Sequence, residues 1–143
     1  MQLDISPMET GDIPSLLDIE KESFPIRLSR DDFLKGVGQG LSFAAKADES
    51  IVGFLLAEKV LDECHIIRIA VRVGMREKGI GKGMMKRLFE EAKAKGIKKY
   101  YLEVRASNLP AREFYKKVGF RDMYVRKKYY ADNNEDAIFM ERA

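Results

Sequence analysis

The chain of 143 residues has the length of one domain with a single hydrophobic core. Its only cysteine is Cys64, so an intramolecular disulfide is excluded and a reducing compartment, the cytoplasm, is expected. The 26 basic and 23 acidic residues give a net charge of +3, which is not the strongly one-signed charge of a nucleic-acid-binding protein. No stretch approaches the roughly 20 apolar residues of a membrane span. We therefore expect neither a nucleic acid nor a membrane as partner.

In the first half of the chain, short apolar runs alternate with capped helical patterns. Leu3–Ile5 predicts a first strand, and Thr10-Gly11-Asp12 offers a cap for a helix that Phe24-Pro25 ends. Ser29 begins a second, shorter helix. Apolar runs then predict three antiparallel strands, at residues 41–47, 51–61 and 64–73.

The second half of the chain follows the order strand, helix, strand. Apolar residues at helical spacing predict a helix over residues 82–95, which ends at Gly96. The strand predicted at residues 99–104 follows this crossover helix, so it should lie parallel to the strand before the helix, in the sheet interior. Pro110 begins a last helix, which Gly119 ends. A closing hairpin is expected from strands at residues 120–128 and 137–141.

A glycine-rich turn lies where the strand pattern changes to the helix pattern. A helix N-terminus has unpaired backbone N–H groups and a partial positive charge, so this turn predicts a site for a phosphate or pyrophosphate. A P-loop is excluded because Ile80-Gly81 stands where a lysine followed by serine or threonine is required, and a dinucleotide fingerprint is excluded because Met84 replaces its third glycine. The remaining pattern, Arg76-x-x-Gly79-x-Gly81, resembles the acetyl-coenzyme A signature of the GNAT acetyltransferases.

A glutamate, Glu103, stands in the middle of a strand predicted for the sheet interior. Alternation places Leu102 and Val104 on one face of this strand and Tyr101 with Glu103 on the other. Because a buried, unpaired carboxylate is costly, Glu103 must be salt-bridged to Arg105 or another base, be open to a cleft, or be functional. The residues alone leave these alternatives open.

Later motifs extend the resemblance along the chain. The segments Leu102–Asn108 and Phe114–Phe120 are similar to motifs of the RimI-type protein N-terminal acetyltransferases. Tyr129-Tyr130, followed by Glu135-Asp136-Ala137, is similar to the last hairpin of that family. Together with the glycine-rich turn, these matches cover about half of the chain in the family's order.

This resemblance implies both a fold and an activity. The fold would be mixed α/β, a single GNAT-like domain over residues 1–143 with a central mixed sheet of about seven strands flanked by about four helices. The activity would be direct transfer of acetyl from acetyl-CoA to the N-terminal α-amine of a protein, classically a ribosomal protein, without an acyl-enzyme intermediate. Two alternatives stay open: a related enzyme that acetylates a polyamine, amino acid or aminoglycoside, and a CoA-binding module without catalysis.

The resemblance also implies which residues form the site. The family's general base matches Glu103, and its general acid, which protonates the departing thiolate, matches Tyr115, although Tyr115 also fits a core position. Tyr129 and Tyr130 match peptide-binding positions, and Arg27 stands near where a tryptophan often follows Phe-Pro. The cofactor-contacting positions match Ile69, Ala70, Val71, Arg76, Glu77, Lys78, Gly79, Ile80, Gly81, Lys82 and Asn108.

Two other features lie close to these motifs. His65 follows Cys64 in a predicted strand, where adjacent side chains point to opposite faces, so we interpret both as structural and expect no metal. Val73 replaces the proline that commonly precedes the glycine-rich turn, a change expected to alter little.

Overall fold

A seven-stranded mixed sheet forms the centre of the protein, as described by a computed structural model for residues 2–143. The strands are β1 (Leu3–Pro7), β2 (Phe43–Ala47), β3 (Ser50–Val60), β4 (Glu63–Val71), β5 (Lys99–Arg105), β6 (Arg121–Arg126) and β7 (Ala137–Arg142). The helices are α1 (Ile13–Ser23), α2 (Arg30–Gly36), α3 (Ile80–Ala94) and α4 (Leu109–Lys117). The sheet order β1-β2-β3-β4-β5-β7-β6 confirms the predicted mixed α/β fold.

The helix ends follow from local sequence signals. Ser29 caps α2 in a reciprocal arrangement, in which each of Ser29 and Asp32 accepts a hydrogen bond from the backbone N–H of the other. After α4, Gly119 has the left-handed φ of 101° that ends a helix. The helix predicted from residue 82 begins two residues earlier, at Ile80, directly after left-handed Gly79. Within residues 2–143, each helix is too short or too polar to cross a bilayer.

Alternation along β3 separates two hydrophobic cores, one on each face of the sheet. Phe54 packs with Ile13 and Phe33, from α1 and α2. The next residue, Leu55, belongs to the cluster that contains Met84 of α3 and Tyr115 of α4. Complete burial of one large apolar side chain contributes roughly 1.5–3 kcal/mol. Each face of the sheet is therefore covered by two helices, and the two cores hold the strands between them.

The two central parallel strands pair over three residues only. β4 joins β5 at Glu63–Lys99, Cys64–Tyr100 and His65–Tyr101, whereas the other edge of β4 stays paired with β3 up to Val71. Within the described residues, the β5-facing edge of β4 from Ile66 onward has no neighbouring strand. The gap between the diverging strands is called the central cleft below. It lies at the carboxyl ends of parallel strands, where α/β sheets commonly bind ligands.

Candidate active site

The turn between β4 and α3 presents the N-terminus of α3 to solvent. Gly79, the residue before the helix, has a φ of 81°, which glycine adopts without strain. A Cβ placed on Gly81 would lie 3.3 Å from the ring of Phe114, so the backbone there has little room for a side chain. The first intrahelical bond runs from Gly83 N–H to Gly79 O at 3.0 Å, which leaves the preceding N–H groups without a helical partner. The turn therefore fits the anionic part of a nucleotide-like ligand.

Side chains from α1 and from the turn itself brace this segment. Glu22 accepts a hydrogen bond from the backbone N–H of Val73 at 2.7 Å. A proline at that position has no N–H, so the valine makes a bond that the residue common in the family could not make. Arg76 donates from Nε to the carbonyl oxygen of Val71 at 3.0 Å, which folds its guanidinium back onto the turn. Glu77, Lys78 and Lys82 are exposed around it.

Glu103 lies on the side of β5 that the predicted alternation assigned to it. Leu102 and Val104 are buried on the opposite face, and the Glu103 side chain is 19% exposed. Its Oε2 lies 2.8 Å from Nε2 of His65. The interpretation of Glu103 as a partner of Arg105 is wrong, because the Arg105 guanidinium pairs with the carboxylate of Asp132 at 3.0 Å. The base beside Glu103 is a histidine.

His65 occupies the centre of a row of side chains that crosses three strands. It is the direct neighbour of Glu58 on β3 and of Tyr101 on β5. Its Nδ1 lies 3.5 Å from Glu58 Oε1, and its ring stacks on Tyr101 with centroids 4.8 Å apart. Burial lowers the pKa of His65, but the hydrogen bonds and charges of Glu103 and Glu58 outweigh burial, so this pKa lies above its usual value. Cys64 points away into the core, as predicted.

Tyr115 extends from α4 into the hydrophobic core, where it is buried. Its ring packs edge-on against Phe114 and Phe120, with centroids 5.5 and 5.9 Å away. Burial raises the pKa of its hydroxyl strongly, while the charge of Arg68 lowers it and Tyr130 raises it. The hydroxyl therefore stays protonated at neutral pH and lies within electrostatic range of Tyr130.

The connection between β6 and β7 brings two tyrosines to Glu103. Tyr129 and Tyr130 meet edge-on with ring centroids 5.1 Å apart. Burial raises the pKa of both hydroxyls, that of Tyr130 to about 12, and the charge of Glu103 raises both further. The Arg105 guanidinium lies 4.0 Å from the centroid of the Tyr130 ring and pairs with Asp132, so it holds the connection against β5.

The loop between α1 and α2 presents Arg27, which is exposed. A partly buried ion pair that the sequence analysis missed anchors the residues on either side of Arg27. Arg68 of β4 donates to the carbonyl oxygen of Ile26 at 2.8 Å, and Glu20, 1% exposed, accepts from the backbone N–H of Leu28 at 2.8 Å. Glu20 Oε2 lies 3.4 Å from Arg68 Nε. The one sequence signal was a charged residue on the apolar side of α1.

The remaining predicted cofactor contacts fall in two places. Ile69, Ala70 and Val71 lie on the stretch of β4 that faces the central cleft without a β5 partner. Asn108 is the N-cap residue of α4, where its side-chain oxygen accepts a hydrogen bond from the N–H of Ala111 at 3.3 Å. The side-chain oxygen of Asn108 is thus already engaged in capping a helix.

Comparison with known proteins places the chain in a family. The profile of the Acetyltransferase (GNAT) family matches residues 13–120. The chain is 33% identical to [ribosomal protein bS18]-alanine N-acetyltransferase of Escherichia coli strain K12, over 95% of this chain and 94% of that protein. It is 32% identical to a putative enzyme of the same name from Bacillus subtilis strain 168, over 93% of this chain and 90% of that protein.

Solved structures agree with this placement. The crystal structure of the ribosomal-protein-S18-alanine N-acetyltransferase from Escherichia coli has a TM-score of 0.90 at 32% identity. The match covers 99% of this chain and 93% of that protein's chain. The crystal structure of Ard1 from Thermoplasma volcanium has a TM-score of 0.92 at 26% identity. The match covers 99% of this chain and 97% of the Ard1 chain. The chain therefore belongs to the GNAT acetyltransferase family and is an N-acetyltransferase that uses acetyl-CoA.

Proposed function

We propose that the protein transfers acetyl from acetyl-CoA to the N-terminal α-amine of a protein, with a ribosomal protein as the first candidate acceptor. The observation that carries the proposal is the position of Glu103, which lies on β5 two residues beyond its last pair with β4 and within electrostatic range of Tyr129 and Tyr130. The near full-length similarity to ribosomal protein bS18-alanine N-acetyltransferases supports the same acceptor class.

The residues divide into those that hold acetyl-CoA and those that move protons. Residues 76–82 would hold its anionic part at the N-terminus of α3, and residues 69–71 and Asn108 would contact the rest. Bound acetyl-CoA supplies the thioester that is cleaved. Glu103 removes a proton from the α-ammonium, directly or through one water, which leaves a nucleophilic amine. Tyr115, whose hydroxyl keeps its proton, donates it to the departing thiolate.

The choice of an α-amine over a lysine side chain follows from acidity. An α-ammonium has a pKa near 7.7–8.0, so roughly a tenth is already neutral at pH 7, whereas a lysine with a pKa near 10.4 is neutral in about one molecule in 2,500. A carboxylate base therefore removes a proton far more easily from an α-ammonium than from a lysine ammonium. Glu103 is therefore suited to an N-terminus and poorly suited to an internal lysine.

Removing the hydroxyl of Tyr115 separates its two interpretations. We expect Tyr115→Phe to lower kcat by about tenfold or more, because the departing thiolate loses its proton donor. The ring stays packed against Phe114 and Phe120, so Tm should change little. The measurements are steady-state kcat with an Ala-initiated peptide and thermal unfolding. Unchanged kcat per folded molecule would leave Tyr115 as a core aromatic only.

A peptide panel tests the proposed acceptor. Peptides with free Ala, Ser or Met N-termini should be acetylated on the α-amine, with the small first residues fastest because Tyr129 and Tyr130 restrict the space for the terminus. Because Arg27 is exposed on the neighbouring loop, an acidic second or third residue should also be favoured. N-terminally blocked peptides with one internal lysine should react at least about tenfold more slowly. Mass spectrometry of the products locates each acetyl group.

The panel also distinguishes the alternatives. Polyamines and free amino acids, tested at the same concentration, measure the competing small-molecule activity. Acetyl found mainly on lysine side chains or on these small amines would contradict the proposed acceptor, although the enzyme would remain an N-acetyltransferase.

A further inference from the structure

The pair of Glu103 and His65 is not isolated, because a second carboxylate lies on the far side of the imidazole. His65 Nε2 lies 2.8 Å from Glu103 Oε2, and Nδ1 lies 3.5 Å from Glu58 Oε1. The exposed fraction of the side chain rises from 19% for Glu103 through 21% for His65 to 39% for Glu58. The imidazole thus lies between a largely shielded carboxylate, Glu103, and a more exposed one, Glu58.

The surroundings fix the ring and its charge. The titratable groups that face it are Glu58 from β3 and Tyr101 and Glu103 from β5, while Cys64, its neighbour on β4, points to the opposite face. Tyr101 stacks on the ring with an interplanar angle of 4°, which prevents rotation away from the carboxylates. Two carboxylates favour the imidazolium, because Glu103 hydrogen-bonds to Nε2 and Glu58 lies within ion-pair distance of Nδ1.

We infer that His65 takes up the proton that Glu103 removes from the acceptor amine, so that the two residues act as one base. This inference rests on the proposed function, since it requires Glu103 to be the residue that deprotonates the amine. His65 acts through Glu103 and is a positioning residue, because its contacts are with Glu103 and Glu58 rather than with the amine.

The protons balance over one turnover. For the transfer, neutral His65 carries its proton on Nδ1, towards Glu58, so that Nε2 accepts the proton that has arrived on Glu103. The ammonium N–H bond breaks as an O–H bond forms on Glu103; this O–H bond then breaks as Nε2–H forms. The amine forms the amide C–N bond while the thioester C–S bond breaks. Tyr115 gives its hydroxyl proton to the thiolate sulfur, and the second proton of the amine then passes to the Tyr115 oxygen. When the products leave, the imidazolium loses its Nε2 proton to water.

The enzyme is then active only while His65 is neutral at the start of each turnover. Because the two carboxylates raise the pKa of His65, activity should be lost as the pH falls through this raised value. Replacing Glu58 with Gln removes one stabilising charge, so the loss should move to lower pH. Replacing His65 with Gln removes the imidazole, so the loss should no longer follow the acid limb of the wild type.

The chain has a single histidine, so one imidazole signal in an NMR titration of untagged protein reports His65 alone. We expect a midpoint above 6.5 in the wild type and a lower one in both Glu58→Gln and Glu103→Gln, with no change in the exposed control Glu90→Gln. In parallel, kcat at saturating Ala-initiated peptide is measured from pH 5 to 9. His65→Gln should reduce the plateau by about tenfold and displace the acid limb of the profile.

The outcomes separate this inference from the proposed function. If His65→Gln keeps the acid limb of the wild type, the imidazole is structural and the inference is wrong, while α-amine acetylation stands. The peptide panel on the wild type tests the acceptor independently. If His65→Gln does not fold, Glu58→Gln decides instead, because a shifted His65 titration with an unmoved acid limb in that variant overturns the inference.

Discussion

Replacing Glu103 with Gln is expected to lower kcat by about 100- to 10,000-fold, the range typical of general acid–base catalysis. Glutamine has nearly the same shape, and its side-chain amide can still form a hydrogen bond with His65 Nε2 in either direction, so the sheet around it stays intact. What it cannot do is take a proton from the α-ammonium. The measurement is kcat per folded molecule with an Ala-initiated peptide, together with Tm and the stabilisation by acetyl-CoA.

Two comparisons make this result specific to Glu103. Glu90→Gln removes the same charge from an exposed position on α3 and should leave kcat at the level of the wild type. Stabilisation by acetyl-CoA should be the same in all three proteins. If Glu103 only holds His65 in place, Glu103→Gln should instead lower Tm and leave kcat per folded molecule nearly unchanged.

The second large effect is expected at the glycine-rich turn. A ligand present at 100 times its Kd stabilises the folded protein by about 2.7 kcal/mol, so saturating acetyl-CoA should raise the Tm of the wild type clearly. In Gly81→Asp this rise should be lost. The aspartate side chain has to displace the ring of Phe114, 3.3 Å from its Cβ, and it adds a negative charge where the phosphates are expected.

A matched glycine substitution shows whether the effect belongs to the turn. A Cβ on Gly11 meets no atom within 4 Å, so Gly11→Asp introduces the same side chain in open space, beside α1. This variant should keep the full rise of Tm with acetyl-CoA. Thermal unfolding without cofactor establishes that both variants fold. A full rise in Gly81→Asp would place the cofactor elsewhere.

The order of strands and helices could be predicted because each boundary has a local chemical signal. The Ser29 capping box and the left-handed glycines Gly79 and Gly119 are sequence features whose physical role does not depend on the rest of the fold. The sheet order could be predicted only in part. Crossover handedness places β5 beside β4, but no local signal says that β7, rather than β6, pairs with β5.

The site shows the same division between local and distant information. Glu103 and Tyr115 could be selected because their motifs are contiguous in the chain. The bond between His65 and Glu103 joins residues 38 positions apart and depends on the register of β4 against β5, which neither strand encodes alone. Arg105 was the nearer base in sequence, and the alternation of β5 even places it on the same face, yet Asp132 from a distant connection is its partner.

The three-residue junction between β4 and β5 also divides the sheet mechanically. On one side lies a ribbon of four antiparallel strands, and on the other a ribbon of three, with few backbone hydrogen bonds joining them. The shortest pairing between neighbouring strands thus lies in the middle of this sheet, not at its edge. An extended ligand that binds along the open edge of β4 would connect the two ribbons. We therefore expect the ribbons to move relative to each other in the free protein and to move together once the ligand is bound.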